Sequence, residues 1–170
     1  MTNDVIKEAV ARQQSSDKKV SAENRILGKV MTFHIGEQIY GIEIQNVLEI
    51  IEMQHITKIP HVPSYIKGII NVRSKVVPVI NIRSRFGKEE IPYNDRSSII
   101  IVSSEDIQVG IIVDQIRDVI PVKERHIAKS PDHIGVNHNK FIKYLLEMPD
   151  GIKLVLDVNK LVYENEVVVD

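Results

Sequence analysis

The sequence predicts an all-β protein made of two copies of one small barrel, and three observations lead there. Isoleucine and valine are abundant, while aromatic residues make up 5% of the 170 and tryptophan is absent, a composition suited to strands packed by β-branched side chains. From Val30 onward, short apolar runs are broken by Gly, Pro, Asn and Asp, the texture of many short strands joined by tight turns. The third observation is that the chain repeats itself.

At an offset of 69, Val30-Met31-Thr32-Phe33 falls on Ile99-Ile100-Ile101-Val102, and Gly41-Ile42-Glu43-Ile44 falls on Gly110-Ile111-Ile112-Val113. The same offset carries Val47, Glu49, Ile50 and Ile51 onto Ile116, Asp118, Val119 and Ile120. After a longer connection in the second copy the offset becomes 76, pairing Ile66-Lys67-Gly68-Ile69-Ile70 with Ile142-Lys143-Tyr144-Leu145-Leu146, and Val79-Ile80-Asn81-Ile82 with Val155-Leu156-Asp157-Val158. Two successive stretches in register point to duplication.

Taken in order, residues 1–28 are polar and mixed in charge, a mobile tail with a short helix expected over Asp4 to Arg12. A barrel follows over about 29–95 and its copy over about 96–165. Each copy reads as strand, turn, strand, a short helical piece (Ile44 to Val47, and Val113 to Ile116), then three more strands. Gly36-Glu37, Ser104-Glu105-Asp106 and Pro149-Asp150-Gly151 supply the chemistry that hairpin reversals need. Five short strands cannot bury both faces as an open sheet, so each copy should curl and remove its edges. Asp157 to Tyr163 is expected to end in a helical turn capped by Asn159.

Zero cysteines exclude disulfides, thiolate zinc sites and cysteine nucleophiles. The formal charge of -1 gives no global pull toward nucleic acid or anionic lipid. No apolar run approaches the ~18 residues of a membrane helix, and the N-terminus, with Asp4 and Glu8, lacks an apolar signal core. The expected location is the cytoplasm. The eight glycines are dispersed singly, so no phosphate loop is formed. The six histidines lack the i, i+4 spacing of a hydrolytic zinc site, and His133 with His138 near Asp132 reads as a solvated loop. Asp114 and Asp118 would share one face if a helix ran there, as an acid/base or magnesium pair, although a solvated face is the plainer reading. No Gly-x-Ser-x-Gly elbow surrounds the serines. Neither cofactor, metal nor catalytic residue is expected, and the chain reads as a non-enzymatic binder.

Charge is segregated within the first copy. Glu37, Glu43, Glu49 and Glu52 occur without a base among them; from Met53 to Lys88 come Lys58, Lys67, Arg73, Lys75, Arg83, Arg85 and Lys88 with no acid. This implies either neutralisation across the barrel or a docking surface that orients a charged partner. A single-strand nucleic-acid groove is a third reading, but it needs exposed aromatics, and only Tyr65 and Phe86 lie in the run. Asn71-Val72-Arg73-Ser74 and Asn81-Ile82-Arg83-Ser84 are near echoes ten residues apart.

Tyr40-Gly41-Ile42-Glu43-Ile44 with Val47 and Glu49, then Ile56-Thr57-Lys58-Ile59-Pro60, Tyr65 to Arg73, Val77-Pro78-Val79-Ile80-Asn81-Ile82-Arg83 and Phe86-Gly87 resemble the bacterial chemotaxis coupling family, CheW. The likeness runs from about Val30 to Leu161. It implies two five-stranded SH3-like barrels around a shared core, and an adaptor joining the cytoplasmic tip of transmembrane chemoreceptors to the regulatory domain of the histidine kinase CheA, recruited to receptor arrays at the inner face of the membrane. Carried over by position, the receptor-side residues are Val47, Glu49 and Arg73, with Gly68 and Asn71 shaping the adjacent turn. The kinase side is placed by neighbourhood around Ile51, Ile56, Lys58 and Ile59. A coupling role in another kinase-linked pathway, such as twitching motility, shares all these features. Ser74 stands where the family pattern has Gly, which implies strain if that position takes positive φ.

Overall fold

The computed structural model describes residues 6–8, 24–128 and 139–163. The broken apolar runs become strands β1 (Ile26–Ile35), β2 (Gln38–Glu43), β3 (Val47–Glu52), β4 (Ile66–Val72), β5 (Lys75–Asn81), β6 (Ser98–Ser104), β7 (Ile107–Val113), β8 (Gln115–Lys123), β9 (Ile127–Ala128), β10 (Ile142–Met148) and β11 (Gly151–Leu156). The matched segments fall on matched strands: β1 with β6, β2 with β7, β3 with β8, β4 with β10, and β5 with β11. Short helices Ile82–Arg85 and Val158–Tyr163 close the two copies.

The copies exchange strands, which the repeat did not reveal. The sheet orders are β8-β1-β2-β11-β10-β9 and β3-β6-β7-β5-β4. After its second strand each copy crosses to the opposite sheet, through the 3₁₀ turn Ile44–Asn46 in the first and through Asp114 alone in the second. β3 then pairs with β6 and β8 with β1. The boundary near residue 95 therefore separates the copies along the chain but does not separate the barrels in space.

Both sheets curl closed by the same device. Past β8, the 3₁₀ turn Glu124–His126 leads to β9, which pairs with β10. Past β3, the chain runs on to Thr57, whose N–H and C=O both bond Ile69 of β4 at 2.9 Å. Gly68 admits this second closure, because a Cβ at that position would lie 2.1 Å from the Thr57 carbonyl oxygen.

Strand alternation sorts the apolar side chains into three cores. Phe33, Tyr40, Ile100, Ile111, Leu154 and Leu161, among others, fill the space between the sheets. Ile99, Ile101 and Val79 point the other way into the barrel containing β3, and Val30, Leu146 and Val155 fill the barrel containing β8. Single β-strands thus feed two cores at once, which makes the two barrels one cooperative body.

Three expectations need correction, and a fourth is met in the part that is described. Residues 26–28 belong to β1, paired with Lys123 and Val122, rather than to a tail. A helical turn is present at 6–8, and the rest of the expected Asp4–Arg12 helix lies outside the described residues. Val113 to Ile116 holds no helical piece, because Asp114 passes directly from β7 into β8. The last helix is capped by Asp157, whose Oδ1 accepts the Lys160 N–H at 3.1 Å; Asn159 lies two residues later, already inside the helix.

Candidate partner-binding site

The two Asn-x-Arg-Ser echoes share one local device. In each, the Asn Oδ1 accepts the N–H of the Ser three residues on, at 3.0 Å for Ser74 and 3.2 Å for Ser84. Around Asn81 that bond caps the helix Ile82–Arg85. Around Asn71 the flanking segments are strands, so Arg73 and Ser74 form a two-residue hairpin tip with φ of 50° and 68°. Positive φ at both central residues is the type I′ requirement, usually met by Asn-Gly. Neither residue here is glycine, and each carries roughly 1–2 kcal/mol of left-handed strain. The cost implied by Ser74 is present.

The tip aims Arg73 back across the sheet edge, where its guanidinium meets Glu49 of β3 at 2.9 Å. The arginine side chain is nonetheless 84% exposed, so most of its donors face solvent. Two open grooves flank the pair. One, of about 540 Å³, is lined by Ile51, Met53 and Val72 together with Glu52, Gln54 and Asn71; the other, of about 220 Å³, by Leu48, Val72 and Ile101 together with Lys75 and Gln108. Leu48 and Ile50 stand exposed on β3. A charged ridge between grooves of mixed apolar and polar lining suits an amphipathic partner that brings apolar side chains and a carboxylate together.

Of the residues assigned to the receptor side, Glu49, Asn71 and Arg73 are brought together here. Val47 lies at the start of β3, half-buried against the shared core. Gly68 does not shape the turn: it sits at the far end of β4 beneath Thr57 and serves barrel closure. On the kinase side, Ile51 and Ile56 pack against the core of this barrel, Ile59 is half-buried and Lys58 is exposed.

The remaining charges are largely used internally. Arg83 donates through Nε to Asp114 at 3.0 Å and pairs with its other oxygen, which also accepts the Gly36 N–H at 2.7 Å. Burial opposes the Asp114 charge, but the Arg83 guanidinium and the Gly36 N–H prevail and hold the carboxyl below its usual range. This clamp ties the second sheet crossover to the β1–β2 turn. Lys67 pairs with Glu90. Arg85 is buried, 4.2 Å from the Tyr65 ring centroid, and donates to the Leu161 carbonyl at 3.0 Å.

These placements argue against two of the rival readings of the sequence, the nucleic-acid groove and the Asp114/Asp118 pair. Tyr65 and Phe86 are buried in the shared core, so the basic run has no stacking platform. Asp114 and Asp118 do not share a helix face; they are separated by about 13 Å of extended chain, and Asp118 is instead engaged by the buried Thr32 hydroxyl. His133 and His138 lie outside the described residues. Among the described residues no group of three His, Asp or Glu side chains could hold a metal ion, and no helix is long and apolar enough to cross a membrane.

A second charged tip escaped the sequence reading. Asp150, in the β10–β11 turn, accepts from Lys153 at 2.6 Å and from Arg117 of β8 at 2.7 Å. The repeat does not align it with the first tip's pair: offsets of 76 and 69 set Asp150 opposite Ser74 and Arg117 opposite Leu48, each one residue away from Arg73 and Glu49.

Two interlocked barrels with a charged tip between open grooves define a protein-binding scaffold. A family model described as the CheW-like domain matches residues 29–166. The chain is 33% identical to the chemotaxis protein CheW of Treponema pallidum, over 81% of this chain and 84% of the relative, and 33% identical to that of Bacillus subtilis, over 82% and 90%. The crystal structure of the scaffolding protein TtCheW from Thermoanaerobacter tengcongensis superposes with a TM-score of 0.74 at 32% identity, covering 84% of this chain and 99% of that one. The chain belongs to the CheW-like family, and its role is that of a chemotaxis adaptor.

Proposed function

We propose that this adaptor couples chemoreceptors to the histidine kinase CheA, and that the receptor's cytoplasmic helical tip docks on the ridge formed by Glu49 and Arg73. The observation that carries the reading is the geometry of that pair: Glu49 fixes one edge of the guanidinium while the rest stays exposed between two grooves of mixed apolar and polar lining. A helix laying its apolar stripe along Leu48 and Val72 would present a carboxylate to Arg73, which sets its register. Val47 supports β3 from below, and Asn71 supports the tip.

The kinase regulatory domain is assigned to the segment that closes the same barrel, where Lys58 and Ile59 offer the accessible groups and Ile51 and Ile56 hold the segment in place. Two partners on one rigid barrel are coupled through position, and modest single contacts sum in an array at the inner face of the membrane. NMR titration of the full chain with a receptor-tip fragment tests the receptor side. Arg73→Glu is expected to weaken binding at least about tenfold, about 1.4 kcal/mol, with the fold unchanged; wild-type affinity in that variant overturns the assignment. Co-purification of a histidine kinase and a receptor with the wild-type chain, reduced for the kinase alone by Lys58→Glu, supports the second face.

A further inference from the structure

Among the described residues, Arg73 and Ser74 are adjacent non-glycine residues that both hold positive φ. The other tight tips do otherwise: Gly36 supplies the left-handed residue after β1, Gly151 follows the Pro149-Asp150 tip, and Glu105 stands alone at 54°. Such a tip persists only where its surroundings over-determine it. Two contacts do so here, the Ser74 N–H donated to Asn71 Oδ1 and the Arg73 guanidinium on Glu49. The first lies within the turn and holds the backbone; the second depends on that backbone to bring the guanidinium to the sheet edge.

We infer that Asn71 is a positioning residue for recognition, and that Ser74 makes the tip depend on it. With glycine at 74 the left-handed backbone is accessible without help. With serine it competes with ordinary right-handed turns, which splay the strands, and the Asn71 carboxamide selects the tip that sets Arg73 against Glu49. Asn71 touches no partner in this account; it acts through Arg73. The affinity part of the inference rests on the receptor reading above, whereas the positioning part is a property of the free protein.

The experiment uses the full-length chain with Asn71→Leu, Asn71→Asp and the double variant Asn71→Leu/Ser74→Gly. Asn71 is exposed, so folding is expected to survive in all three. The first readout is the Arg73 side-chain Nε–H resonance in the free protein, which reports the ordered pairing with Glu49. The second is affinity for a receptor-tip fragment. Asn71→Leu is expected to collapse the Arg73 resonance toward that of a free arginine and to weaken binding about tenfold. Asn71→Asp keeps the acceptor and retains both, and the Ser74→Gly double variant restores both. An unchanged Arg73 resonance in Asn71→Leu, or a loss that Ser74→Gly does not repair, overturns the inference. A lost and repaired resonance with unchanged affinity supports the positioning role and removes Arg73 from the receptor site, so the two claims fail separately.

Discussion

The two hairpin tips related by the repeat solve one structural problem with opposite charges. At β4–β5 the base is on the tip and the acid on the neighbouring strand, Arg73 against Glu49. At β10–β11 the acid is on the tip and the base on the strand, Asp150 against Arg117. The second tip also receives Lys153, whose side chain is 1% exposed and whose counterpart in the first copy is the apolar Val77. Both Asp150 oxygens are therefore used to neutralise cations of its own barrel, and Lys153 followed by Arg117 holds the carboxyl well below the usual carboxylate range. Arg73 has no buried charge to serve. One tip spends its charge inward, on two cations of its own barrel, while the other leaves most of its charge outward, the arrangement the proposed receptor site needs.

The largest expected effect lies in the barrel of the outward tip, at the far end of β4. Gly68 has Tyr144 as its counterpart and takes φ of 146° beneath Thr57. Gly68→Ala forces a Cβ into the Thr57 backbone and is expected to cost about 3 kcal/mol or more in urea unfolding. A near-neutral result would mean that Thr57 does not close this barrel.

Next comes Asp150→Ala, which leaves the buried Lys153 ammonium without its carboxylate. It should lower the unfolding midpoint by more than Glu49→Ala, a surface-pair loss of roughly 0–1 kcal/mol, and Lys153→Met in the same chain should recover much of the loss. Equal effects of the two acid deletions would erase the inward–outward distinction.

Acid titration gives a third contrast. The folded-state pKa values of Asp150 and Asp114 are depressed, so each contributes stability that is fully present above the unfolded carboxylate pKa of about 4. That contribution is lost as pH falls below 4 toward the folded values. Asp150→Asn and Asp114→Asn should each flatten the dependence of stability on pH below 4. Smallest is Ser74→Gly, expected to raise stability by about 1 kcal/mol through relief at φ 68°.

The apolar skeleton was legible because it is periodic: β-branched runs, turn residues and the offsets of 69 and 76 located the strands and the duplication. Strand exchange was not legible, since Ile44 to Val47 and Val113 to Ile116 read as short helical pieces within each copy and only pairing partners reveal a crossover. Glu49 and Arg73 were found by resemblance, and the segregated charges left open whether they pair or dock; they do pair, with the arginine still exposed. Gly68 was misplaced because a glycine beside a tip in sequence looks like part of it, whereas close backbone approach leaves no mark in one chain. Lys153 and Asp150 were missed because a buried lysine reads as a surface one until its neighbours are known.

Charge reversal at each tip, compared on one partner, tests the central claim most directly. Arg73→Glu and Arg117→Glu chains, both shown folded by their amide spectra, are titrated with the same receptor-tip fragment. The expected result is binding weakened at least about tenfold in Arg73→Glu and wild-type affinity with lowered stability in Arg117→Glu. Equal loss in both variants, or loss confined to Arg117→Glu, would contradict it.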